Sequence, residues 1–112
     1  MNKVEYLLKK NGPTISGELA RLYENTYGVS NETARKAISM AKNPVRRINS
    51  IKFDKNQMFY YLERQYMSEQ FKSSLLFAIK NYSKVNQIYI NAFSAQNGYI
   101  SKKYFHHILL LK

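Results

Sequence analysis

Cysteine is absent from the 112-residue chain, which excludes disulfides and thiolate metal cages and removes any need for an oxidising compartment. Long apolar runs are absent too. No segment approaches the roughly 20 consecutive apolar residues that span a bilayer, and Met1-Asn2-Lys3-Val4-Glu5-Tyr6 carries no apolar signal core. The expectation is a soluble, cytoplasmic protein that does not enter a membrane. Acidic residues are scarce: seven Asp and Glu face 18 Lys and Arg, a formal charge of +11, and such an excess attracts polyanions. Nucleic acid is the first partner this balance predicts. An anionic membrane surface fits less well, because the cations are spread over several segments and do not line one helix opposite large apolar residues.

The means for catalysis are equally thin. The carboxylates form no close pair suited to acid/base work, the serines have no neighbouring His and Asp pattern, and the four glycines make no phosphate-cradling loop. His106-His107 is the only histidine pair, and adjacent residues on a helix point about 100° apart, so they do not converge on one metal. The chain is therefore expected to be a non-enzymatic binding protein with no cofactor and no metal. With a hydrophobic share of 45% it has the composition of a folded domain.

What is present is ordered by period. Val4, Leu7 and Leu8 mark a first helix over Asn2 to Lys10, with Lys9 and Lys10 in the last turn, and Asn11-Gly12-Pro13 stops it. Ser16 is placed to cap a second helix whose buried stripe is Leu19, Leu22, Tyr23 and Tyr27, and Gly28 suits its left-handed end. Only Val29 separates Gly28 from Ser30, the expected cap of a third helix. That helix, about 30–42, buries Ala34, Ala37, Ile38 and Ala41 and turns Glu32, Arg35, Lys36 and Ser39 outward. Asn43-Pro44 ends it, because the residue before proline is pushed out of the helical region. Val45-Arg46-Arg47-Ile48 and Gln57-Met58-Phe59-Tyr60-Tyr61-Leu62 then read as two strands, with a turn cluster at Asp54-Lys55-Asn56 between them.

Two helices joined by so short a turn cross at a large angle over a small shared core. Ser16 to Leu62, with the first helix extending the match to about residues 2–66, resembles the helix-turn-helix and wing of the winged-helix superfamily. The resemblance implies a mainly α fold with a small β-hairpin (α+β) and a winged-helix domain over 1–67, and the periodicity of the remainder adds a helical subdomain over 68–112, packed on it or on a partner. In the latter, Phe71, Leu75 and Ile79 mark a helix from about Ser68 to Asn81. Val85, Ile88, Ala92 and Phe93 mark another capped by Ser83, and Ser101 begins a last one carrying Tyr104, Phe105, Ile108 and Leu109.

The resemblance further implies that the third helix enters the major groove of double-stranded DNA while the wing, about 49–57, grips the backbone. Lys and Arg on phosphates would supply affinity and side chains on base edges the choice of sequence. Arg35 suits guanine N7 and O6, and Asn31 an adenine edge. Ser30, Thr33 and Ser39 are short donors for phosphates or waters. Lys36, Lys42, Arg46 and Arg47 complete the basic stretch, and Lys52, Lys55 and Asn56 place the wing on the backbone or minor groove. Glu32 opposes phosphate and is expected to pair with Lys36 four residues on. The stacking of a base on Tyr60 or Tyr61 is weighed against an ordinary packing role. Charged residues on an exposed helix are often merely solvated, and winged helices also serve as assembly parts, so a protein-interaction module and an RNA binder stay open. Homodimerisation or a further domain through the C-terminal helices stays open as well.

Overall fold

The first helix, α1 (Lys3–Asn11), starts where Asn2 Oδ1 accepts from the Glu5 N–H at 2.7 Å and ends at Gly12, whose φ of 87° closes the turn onto the Leu8 carbonyl. The computed structural model describes residues 1–48, 51 and 53–82. After α1 come β1 (Thr14–Ile15), α2 (Ser16–Tyr27), α3 (Asn31–Ser39), β2 (Val45–Ile48), β3 (Phe59–Leu62) and α4 (Glu69–Tyr82), with 3₁₀ turns at Asp54–Asn56 and Glu63–Gln65. Among the described residues the architecture is α+β: four helices and a three-stranded antiparallel sheet in the order β1-β3-β2.

β1 is not legible from periodicity, since two residues are too few to show one. It exists through its partner, with Thr14 opposite Tyr60 and Ile15 opposite Phe59. This pairing displaces the expected cap of α2. Ile15 occupies the N-cap position and Ser16 is already helical. The Ser16 hydroxyl oxygen instead accepts from the Met58 N–H at 3.0 Å, while the Ser16 N–H donates to the Met58 carbonyl at 2.8 Å. Gly28 takes the expected left-handed conformation at the end of α2, with φ 64°.

Ser30 caps α3 as expected, its Oγ accepting from the Thr33 N–H at 3.2 Å. The helix ends at Ser39, ahead of the expected Lys42. Its last turn tightens, with the Ala41 N–H on the Ile38 carbonyl at 3.2 Å, and the Val45 N–H on the Lys42 carbonyl then turns the chain into β2. Gln57 and Met58, expected within the second strand, precede β3.

Successive side chains on a strand face opposite ways, and each face of this sheet carries its own core. Val45, Tyr60 and Leu62 pack with Val4, Leu7, Leu8, Leu19, Ala20, Tyr23, Ala34 and Ile38 of α1, α2 and α3. On the other face Ile15, Ile48 and Phe59 pack with Phe71, Leu75, Ala78 and Ile79 of α4. The expected stripe of Phe71, Leu75 and Ile79 is thus buried, each at 0% exposure. Ser68 caps this helix, its Oγ accepting from the Phe71 N–H at 3.1 Å. Gln65 ties β3 to α1: its Oε1 accepts from the Leu62 N–H at 2.7 Å and its Nε2 donates to the Leu8 carbonyl at 2.9 Å.

The helices expected around Val85 to Phe93 and from Ser101 onward lie outside the described residues, as does His106-His107. Among the described residues no helix is long and apolar enough to cross a membrane.

Candidate nucleic-acid interface

A helix can lie close to its scaffold where its inner face is small. On α3 that face is Ala34 at 0% and Ile38 at 3% exposure, resting on α2 and β2. Ser30, Asn31, Glu32, Thr33, Arg35, Lys36 and Ser39 are all exposed on or beside the opposite face. The ridge is therefore polar, basic and narrow, and the connection from α2 to α3 runs only through Gly28, Val29 and Ser30.

Several polar groups on the ridge are engaged within the protein, which revises their expected roles. Asn31 is held at both ends of its amide: Nδ2 donates to Glu24 Oε2 at 2.9 Å, and Oδ1 accepts from Arg35 Nε at 2.8 Å. The amide that was expected to meet an adenine edge is thus engaged within the protein. Ser30 Oγ donates to Thr33 Oγ1 at 3.0 Å while it caps the helix. Ser39 Oγ donates to the Lys36 carbonyl at 2.9 Å, so neither serine hydroxyl is the open donor expected. Arg35 commits only its Nε, which leaves the Nη groups of its fork directed by the Asn31 contact.

The expected Glu32–Lys36 pair is not among the ion pairs of the described residues, which are Glu18 with Arg21, Glu63 with Arg46 at 3.5 Å, and Glu69 with Lys72 at 2.8 Å. Glu32 sits instead in the first turn of α3, where the helix dipole favours a carboxylate without a cationic partner. Lys36 is left exposed and outside any of these pairs.

The basic residues beyond α3 do not all share one surface. Lys42 is exposed in the connection to β2. Arg46 and Arg47 are adjacent on β2 and both exposed, so strand alternation sends them to opposite faces. Arg46 lies opposite Tyr61 and reaches Glu63. Arg47 lies opposite Tyr60, with its guanidinium carbon 6.0 Å from that ring's centroid, within the range of a cation–π contact. Tyr60 is buried at 5% exposure, and Tyr61 packs edge-on against Phe71 with centroids 5.0 Å apart. Both rings serve packing. Burial, with a smaller contribution from Tyr66, pushes the Tyr61 hydroxyl above its ordinary value.

The hairpin is folded back on the domain. Ile51 and Phe53, 3% and 5% exposed, join the core beneath α4. Lys55 and Asn56 are exposed at the tip, both with φ 59°. Lys52 lies outside the described residues. Gln57, which the sequence shows only as the start of a strand, fastens this tip. Its Oε1 accepts from the Gly17 N–H at 2.9 Å and its Nε2 donates to the Asp54 carbonyl at 3.2 Å. No sequence signal points to Gln57, because its partner on α2 is 40 residues away.

These elements define a small α+β domain in which α2 and α3 are joined by three residues and the β2–β3 hairpin follows α3. No protein-family model, no curated protein and no solved structure matches the chain, so its own residues carry the functional reading.

Proposed function

We propose that the chain is a DNA-binding module of winged-helix type, acting as a regulator or as the DNA-recognition part of a larger protein. The observation that carries this reading is α3 itself: a face buried through Ala34 and Ile38 and an exposed ridge on which Arg35 and Lys36 stand together. Support comes from the order of elements, with a two-residue β1 between α1 and α2 and the hairpin β2–β3 directly after α3, and from the charge of +11. In the proposed mechanism α3 lies in the major groove, Arg35 reaches a base edge, Lys36 neutralises phosphate, and the hairpin tip meets the flanking backbone. Asn31 acts as the brace that aims Arg35. Arg47 and Arg46, on opposite faces of β2, do not both reach the same duplex.

The test is a salt titration of binding to a random-sequence duplex, for the wild type and for the Arg35→Ala/Lys36→Ala variant. Each phosphate contact contributes about 0.9 to the slope of log K against log salt. The double variant should bind more weakly with a slope smaller by about 1 to 2. Unchanged affinity and slope would remove α3 as the recognition element. Absence of any duplex binding at low salt would favour the assembly reading, to which the 61% exposed Phe77 on α4 lends a specific observation.

A further inference from the structure

Lys55 and Asn56 sit side by side in the left-handed region, each at φ 59°. Side chains adopt that region at a cost that glycine avoids, yet this tip carries a lysine and an asparagine, both exposed. The tip is also held from two sides. Ile51 and Phe53 anchor the limb before it in the core. After it, Gln57 uses both ends of its amide, taking the Gly17 N–H of α2 and giving to the Asp54 carbonyl.

Gly17 is shaped to this contact: a Cβ there would stand 2.2 Å from Gln57 Oε1. The neighbouring pair of hydrogen bonds between Ser16 and Met58 closes the same junction. The hairpin tip is therefore fastened to the start of α2, the helix against which α3 packs.

We propose that Gln57 is a positioning residue for the duplex: by locking the tip to α2, it holds Lys55 at a fixed place relative to α3, on a phosphate of the DNA backbone. The inference rests on the DNA-binding reading. Gln57 carries no charge and touches no nucleic acid in this role; it acts through Lys55.

The experiment is a salt titration of random-duplex binding for Gln57→Ala, Lys55→Ala, the double variant and Gly17→Ala, at a temperature where thermal melting shows each one folded. Lys55→Ala should lower the slope by about 0.9, the share of one phosphate. Gln57→Ala should lower it by a similar amount although no charge is removed, and the double variant should lose no more than either single one. Gly17→Ala, whose methyl displaces the flexible end of Gln57, should follow Gln57→Ala. A wild-type slope in Gln57→Ala and Gly17→Ala, or losses that add in the double variant, would overturn the positioning role, because a purely structural residue changes melting and not the count of phosphates. If the wild type itself binds no duplex, the DNA-binding reading falls and takes this role with it. If the wild type binds and Arg35→Ala/Lys36→Ala weakens it while Gln57→Ala is silent, the inference alone fails.

Discussion

Two phenylalanines on α4, six residues apart, should respond to the same truncation in opposite ways. Phe71 is 0% exposed and Phe77 61%. The Phe71 ring is met by Phe59 at 5.7 Å, Tyr61 at 5.0 Å and Tyr66 at 5.3 Å between centroids, all at steep angles. Phe71→Ala removes a buried aromatic from a core that relaxes only in part, at about 3–5 kcal/mol. That is a large share of the roughly 5–15 kcal/mol that stabilises a domain, and at about 4–8 °C per kcal/mol it lowers Tm by at least about 12 °C. Phe77→Ala should stay within about 0.5 kcal/mol of the wild type. Urea unfolding followed by circular dichroism measures both, with the m-value showing whether the transition stays cooperative. Equal effects at the two positions, or a loss below about 1 kcal/mol at Phe71, would mean that α4 does not cover the sheet and that the core beneath it is wrongly assigned.

Two further outcomes follow from local geometry. Gly12 has φ 87° and a Cβ there would stand 2.4 Å from the Gln70 amide, so Gly12→Ala should cost about 1–3 kcal/mol in the same unfolding assay, whereas a neutral result would contradict the turn after α1. Burial raises the Tyr61 hydroxyl above its ordinary value of 10.0, so the folded state keeps this proton more tightly than the unfolded chain does. Stability is then fully present below pH 10 and is lost as pH rises beyond it; thermal melts between neutral and alkaline pH should show the fall reduced in Tyr61→Phe, and an identical fall in that variant would assign it elsewhere.

The helices were written into the sequence by interactions that reach no further than four residues. Asn2, Ser30 and Ser68 cap helices through side-chain oxygens bonded three residues on, and the inward stripes of α1, α3 and α4 recur with the helical period. Gly12 and Gly28 mark ends because their positive φ angles suit glycine. The strand Val45–Ile48 was legible from its β-branched residues, and so was the outward turn of Arg35 and Lys36.

Tertiary structure decided what those groups are available for. β1 exists only against β3, and Ser16 gave up its capping role because the Met58 N–H, 42 residues away, took its hydroxyl oxygen. The Asn31 amide is engaged by Glu24 on the neighbouring helix and by Arg35 on its own. The connection between β2 and β3 holds two apolar residues, Ile51 and Phe53, that are buried in the core shared by the sheet and α4. Gln57 reaches Gly17 across 40 residues and Gln65 reaches Leu8 across 57. Such contacts leave no period and no local signature: each depends on two segments whose meeting is fixed by the burial of other residues, so they follow from the packed sheet and helices and not from the neighbourhood of either residue in the chain.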